Sequence, residues 1–217
     1  MNSDELIKAI VDKHEAVYSG DSSYKNTIQQ MGQLNLATLD TKTVKDIIEP
    51  FLYGWGRMGR LLGRIEYSNW QEEVAENIKS NYAILRQLQQ RNIEGENLID
   101  LRGPILQLFN AFKSTVGQIG SVKILNILCP DFFPLWDTAI ANAVRVEIAD
   151  IQSSAFDRNI ESFSGEDYFR FMESIKLFIT RHNDMLAHLS NQYSQKKLRI
   201  IDECLWWTAK RPFFLMF

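Results

Sequence analysis

The stretch Ile105-Leu106-Gln107-Leu108-Phe109-Asn110-Ala111-Phe112-Lys113-Ser114-Thr115-Val116-Gly117-Gln118-Ile119-Gly120-Ser121-Val122-Lys123-Ile124-Leu125 decides the architecture. Ile105, Leu108, Phe109, Phe112 and Val116 recur at the spacing of one helix face. Asp100 stands ahead as a cap, and Pro104 is tolerated in the first turn, where no backbone hydrogen bond is lost. Val116-Gly117-Gln118-Ile119-Gly120 reads as a tight turn. A second helix follows from about Ser121 to Leu128. The prolines of Cys129-Pro130-Asp131-Phe132-Phe133-Pro134 then take the chain out of helix.

The same period runs outward in both directions. Leu6, Ile7, Ile10, Val11, His14 and Val17 form one face of a first helix, with Ser3 as its N-cap. Gly20 to Asp40 reads as a short helix between loops. Thr43 and Asp46 resemble a capping box ahead of Ile47, Ile48 and Leu52, with Pro50 marking a break. Ser68-Asn69-Trp70-Gln71 is a second capping box, opening a long helix to about Arg91. Further helices are expected from Asp137 to about Ala149, from a cap at Ser164 to Asp167 through about Gln192, and from Lys197 to about Ala209. No segment alternates with period two between turns, so the expected fold class is all-α. The chain reads as one compact unit over 1–217, in two lobes with a boundary near 92–103 and a helix-hairpin-helix-like element near 104–129.

Composition narrows the setting. With 217 residues and 45% hydrophobic content the chain can bury a core without metal or disulfide staples. Cys129 and Cys204 are too few and too far apart for a disulfide framework, and read as buried small hydrophobes in a reducing cytoplasm. The opening Met1-Asn2-Ser3-Asp4-Glu5 is acidic where a signal peptide is basic, and no apolar run is long enough to span a bilayer. The net charge of −3 provides no global field for nucleic acid. The charge is uneven, however: Lys176 to Arg211 holds seven basic and three acidic residues, against five and eight in the first fifty.

Two patterns lose their functional reading on inspection. Gly54-Trp55-Gly56-Arg57-Met58-Gly59 spells G-x-G-x-x-G, but no strand precedes it and no parallel sheet is in prospect. Close helix packing at Gly59 and Gly63 is the better reading. Arg57, Arg60 and Arg64 then share one helix face, a stripe able to hold phosphates and more often solvated or paired with acids. His14, His182 and His188 lack metal-ligand spacing, so no metal or cofactor is expected, and His14 reads as a satisfied core histidine. Phe213-Phe214-Leu215-Met216-Phe217 reads as a tail tucked into the core. An acidic monomer and a homodimer sealed by that tail fit the sequence equally well.

The remaining constellation can carry chemistry. Lys123 stands in the first turn after the glycine turn, where the positive end of the helix dipole destabilises its ammonium. A lysine must be neutral to act as a nucleophile. Fourteen residues on, Asp137 sits at the start of the next expected helix, where a carboxylate is stabilised. On the residues alone, the plainer roles are favoured: a surface or salt-bridging lysine, and an aspartate that is only a cap.

Val116-Gly117-Gln118-Ile119-Gly120, then Lys123, then Phe133-Pro134-Leu135-Trp136-Asp137-Thr138-Ala139-Ile140 resembles the helix-hairpin-helix DNA glycosylase superfamily, and within it an 8-oxoguanine-glycosylase-like group. Ile201-Asp202-Glu203-Cys204-Leu205-Trp206 is similar to that group's closing helix. The resemblance covers about forty residues. Gln118 replaces the first hairpin glycine, and Lys123 follows Gly120 by three residues where two is usual. The resemblance implies a DNA repair glycosylase/lyase acting on duplex DNA with a damaged base, without cofactor or membrane. Lys123 would be the Schiff-base nucleophile and Asp137 the catalytic carboxylate. Gly117, Ile119 and Gly120 would present backbone amides to a phosphate. Arg57, Arg60, Arg64, Lys196 and Lys197 would add phosphate contacts, and Trp136 or Phe132 would stack on a base. A catalytically silent DNA- or protein-binding module of the same fold, and a helical interaction module docking through Phe213 to Phe217, are the competing readings.

Overall fold

The computed structural model describes residues 3–18, 22–64, 69–136, 140 and 164–210. Among these every regular element is a helix, so the fold class is all-α. None of the described helices is long and apolar enough to cross a membrane. The chain divides into two units. One comprises residues 1–20 and 134–217, the other residues 21–133. The expected boundary region, 92–103, lies inside the second unit.

In the unit of residues 21–133, α2 (Ser22–Gln33) is followed by a 3-10 turn, Leu36–Thr38. A helical run comes next: α3 (Thr41–Thr43), a π-helical turn (Val44–Ile48) and α4 (Glu49–Tyr53). Asp40 caps it, accepting from the Thr43 backbone N–H at 2.8 Å and the Thr43 hydroxyl at 2.7 Å. The helix therefore starts three residues earlier than the Thr43 box suggests. Pro50 does not break it. A proline removes one backbone donor, and the wider Val44–Ile48 turn, closed by the Glu49 N–H on the Val44 carbonyl, accommodates the loss within a continuous helical run. Then come α5 (Gly59–Leu62), α6 (Trp70–Ser80) and α7 (Tyr82–Leu88). The single helix expected to Arg91 is thus two, parted at Asn81, whose side chain donates to the Asn77 carbonyl at 2.9 Å and accepts from Gln107 at 2.8 Å. Asn69 rather than Ser68 stands at the N-cap of α6, without a side-chain cap bond; Ser68 lies outside the described residues.

The centre of this unit is α8 (Arg102–Leu128). Its N-terminal part shows the expected one-sided face, with Ile105, Leu108, Phe109 and Phe112 buried, and α8 packs on α6, whose Val74 and Ile78 are buried as well. Every residue from Gly120 to Cys129 is buried. A helix segment buried on all sides is a core element. The five-residue turn expected at Val116 to Gly120 reduces to one non-helical residue, Gly117 (φ 73°, ψ 173°), inside the span.

In the other unit, α1 (Ser3–Tyr18) buries Ile7, Ile10, Val11 and His14. The helix expected from Ser164 to Gln192 is α9 (Gly165–Arg181) and α10 (Asn183–Tyr193), parted at His182. Ser164 and Asp167 form the expected capping box. Ser194, left-handed at φ 52°, ends α10, and α11 (Lys197–Lys210) packs on α1 and α10. The helix expected from Asp137 to Ala149 and the Phe213 to Phe217 tail lie outside the described residues.

Candidate active site

Lys123 is not a surface residue. It is 7% exposed, in the fully buried part of α8. Its Nζ donates to the Gly56 carbonyl at 2.7 Å and lies 5.5 Å from the centroid of the Trp55 ring. Burial in a low-dielectric setting disfavours the ammonium; a carbonyl acceptor and an aromatic face favour it. The chain supplies both compensations from one turn.

That turn explains the G-x-G-x-x-G spelling. It is a structural element joining α4 to α5. A Cβ at Gly56 would fall 2.6 Å from the Leu52 carbonyl oxygen, so only glycine fits where the turn folds back on α4. Trp55 stacks on Phe51 (5.0 Å, 13° between planes) and stands 5.2 Å from Tyr24. Gly59 and Gly63 are exposed and mark no close helix approach: a Cβ at Gly59 would only touch the α4 residue Tyr53 at 4.0 Å, and one at Gly63 would meet the Gly59 carbonyl at 3.0 Å. The close approach is at Gly120 instead, where a Cβ would meet Val116 at 2.8 Å and the Met58 methyl at 2.9 Å. Gly56 and Met58 thus both abut α8, with Arg57 between them.

Asn126 lies three residues beyond Lys123, on the same side of α8. Its carbonyl oxygen accepts from the Tyr24 hydroxyl at 2.8 Å, and its amide donates to the Phe133 carbonyl at 2.7 Å. Ser121 returns its hydroxyl to the Gln118 carbonyl at 2.7 Å. The polar groups of this core are therefore held in a network rather than left bare.

The structure assembles some expected site residues and separates others. Gly117, Ile119, Gly120 and Lys123 share α8. Arg57, Arg60 and Arg64 are exposed, but not as a helical stripe. Helix α5 covers only Gly59–Leu62, Arg57 precedes it in a left-handed conformation (φ 52°), and Arg64 follows it. Phe132 is fully buried, edge-on to Phe133 at 5.0 Å. Trp136 is 3% exposed and stacks on Phe171 at 5.0 Å and on Tyr168 at 6.2 Å. Both rings are engaged in packing, and neither offers an open face for a base. Lys196 is exposed, and Lys197 donates to Asn183 at 2.8 Å; both belong to the other unit. Asp137 lies outside the described residues.

The cysteines are inert. Burial pushes the Cys204 thiol up to about 12 and the Cys129 thiol higher still, so neither supplies a thiolate near neutral pH. Tyr24, Trp55, Gly56 and Asn126 carry no sequence signal of a site. The helical spacing of Asn126 from Lys123 is the nearest to one. A further cluster that linear spacing does not reveal joins His14, Glu15 and Glu203.

No protein-family model, curated protein or solved structure matches this chain. The functional reading therefore rests on the sequence resemblance and on local geometry.

Proposed function

We propose that the chain is a DNA repair glycosylase/lyase that acts on duplex DNA and removes a damaged base through a Schiff base on Lys123. The observation that carries this reading is a lysine buried in a core helix, six residues after a left-handed glycine on the same helix. Only the neutral amine attacks carbon, so the reaction requires Lys123 to give up its proton. The resemblance assigns the backbone amides of Gly117, Ile119 and Gly120 to a phosphate; Gly117 and Ile119 are half-buried, and Gly120 is packed against Val116 and Met58. Exposed Arg57, Arg60 and Arg64 add phosphate contacts from the segment abutting α8; Lys196 and Lys197 are the phosphate-contact candidates of the unit comprising residues 1–20 and 134–217.

The damaged nucleotide is flipped out of the stack. Lys123 leaves the Gly56 carbonyl and attacks C1′ of the sugar. The glycosidic bond breaks, its electron pair leaves with the base, and the base takes up a proton. Asp137 stabilises the positive charge developing on the sugar and accepts the proton released by the attacking amine. Ring opening leaves an iminium between Nζ and C1′. Loss of a C2′ proton then breaks the C3′–O bond, and the phosphate departs with the electron pair. Water hydrolyses the imine and regenerates Lys123.

The 2.7 Å bond from Lys123 to Gly56 favours a second reading: a catalytically silent DNA- or protein-binding module in which Lys123 only braces the 54–56 turn. Borohydride trapping separates the two. Wild type and Lys123→Gln are mixed with duplexes carrying an abasic site, 8-oxoguanine or uracil, reduced, and run on a denaturing gel. A covalent band that needs Lys123 supports the lyase. Absence of a band and of base release on every duplex leaves the silent module.

A further inference from the structure

We propose that His14, Glu15 and Glu203 form a binding site for a divalent first-row transition-metal ion, zinc or manganese by donor chemistry, in the unit comprising residues 1–20 and 134–217. The site is distant in sequence from Lys123 and independent of the lyase reading. Helix α1 turns its Ile7, Ile10, Val11 and His14 face inward, and α11 packs against α1. His14 Nδ1 comes to 3.6 Å from Glu203 Oε2 and 3.8 Å from Glu15 Oε1, and the three donor atoms lie within 4.8 Å of one another. Donors held about 2.0–2.1 Å from a tetrahedral ion stand about 3.3 Å apart, so small side-chain rotations close the set. One imidazole nitrogen and two carboxylate oxygens suit zinc, manganese or iron, and leave a coordination position for water.

The second observation is at Glu203. Its side chain is 1% exposed, and Oε2 has no hydrogen-bond partner among the described residues, although it faces the cluster. The other oxygen is engaged from behind: Arg199 Nε approaches Oε1 at 2.9 Å. Glu15 is likewise oriented from outside, its Oε1 accepting from the Gln195 amide at 2.6 Å. Outer partners that fix the direction of ligating carboxylates are what metal centres require. The His14 ring is held by Tyr18 at 5.1 Å and by the edges of Trp206 and Trp207 at 5.9 and 6.1 Å, an apolar shell around polar donors.

Charge points the same way. Asp202 and Glu203 share the guanidinium of Arg199, and Glu15 adds a third carboxylate to the cluster. A divalent cation neutralises this surplus where a proton does so only in part.

The test uses the full chain, stripped with chelator and titrated with zinc, manganese or cobalt by calorimetry and thermal melting, with cobalt absorption reporting coordination. The expected result is about one ion per chain and a raised Tm. Binding is lost in His14→Phe, which keeps an aromatic ring in the Trp206–Trp207 setting, and in Glu203→Gln, which keeps an acceptor for Arg199. Gln195→Ala, which removes only an outer partner, weakens affinity about 10- to 100-fold. Circular dichroism establishes that each variant is folded. Where Glu203→Gln or His14→Phe does not fold, Glu15→Gln, at a more exposed side chain, must reduce binding in its place. The proposal is overturned if the stripped wild type binds none of the three ions, or if the folded variants bind as wild type does. Either result leaves the cluster as a packing contact between α1 and α11.

Discussion

The Lys123 ammonium donates to the Gly56 carbonyl at 2.7 Å, across 67 residues of chain, and so ties the buried part of α8 to the turn between α4 and α5. Replacing Lys123 with methionine keeps the apolar stem and leaves that carbonyl without its donor. A buried acceptor so orphaned costs about 1–3 kcal/mol. Urea unfolding of Lys123→Met is expected to show a loss of this size with an unchanged m-value. A neutral result would mean that the contact does not stabilise the fold.

Gly117 adopts φ 73° and ψ 173°, a region open essentially to glycine alone. Gly117→Ala is expected to lower stability by about 1–3 kcal/mol. On the proposed function it should also weaken duplex binding, because the Gly117 turn that would present its amides to a phosphate is distorted. The checks are a thermal melt and a fluorescence titration with labelled duplex. Unchanged affinity in a folded Gly117→Ala protein would remove this turn from the proposed DNA interface.

Tyr24→Phe removes the hydroxyl that satisfies the buried Asn126 carbonyl. The expected loss is about 1–2 kcal/mol, in the range for an uncompensated buried acceptor. A double-mutant cycle with Asn126→Ala should show a favourable coupling of about 0.5–3 kcal/mol, as for residues in contact. Strict additivity would contradict the contact.

Arg57, Arg60 and Arg64 are exposed in the unit containing Lys123 and are the phosphate contacts of the proposed duplex interface. Each Arg→Ala change is expected to weaken duplex binding about equally across sequences and to reduce the salt slope by about one. Binding that does not vary with salt in the wild type would refute a phosphate interface altogether.

The Thr43 backbone N–H, then the Thr43 hydroxyl, holds the Asp40 carboxyl below its ordinary value of 3.8. A depressed carboxylate stabilises the fold above its unfolded pKa, and that contribution is lost as pH falls through the folded value. Wild type is therefore expected to lose, as pH falls below about 4, an increment of stability that Asp40→Asn does not lose. Denaturant melts across that range provide the check, with the Asp40 carboxyl followed by NMR.

Local signals were legible where the chain itself supplies the partner. The Ser164 and Asp167 box is visible because both halves of the cap lie three residues apart. The apolar face of Ile105, Leu108, Phe109 and Phe112 is visible because one helix displays it. Pro50 misled because a single π turn absorbs the missing donor, and nothing in the residue order announces that. The arginine stripe misled because periodicity presumes a helix that here lasts only from Gly59 to Leu62. Asn81 and His182 part helices that an unbroken apolar period runs through.

By itself, the amino-acid order determined that the fold is all-α, which helix faces turn inward, and that the chain leaves helical geometry within Val116 to Gly120, ahead of Lys123. Each rests on interactions within a few residues, so spacing and composition suffice. Tertiary structure alone decided that Lys123 is buried, that Gly56 and Trp55 receive it, that Tyr24 meets Asn126, and that Glu203 faces His14. The partners in each pair are 67 or more residues apart, and their meeting depends on how helices pack, which no local period encodes.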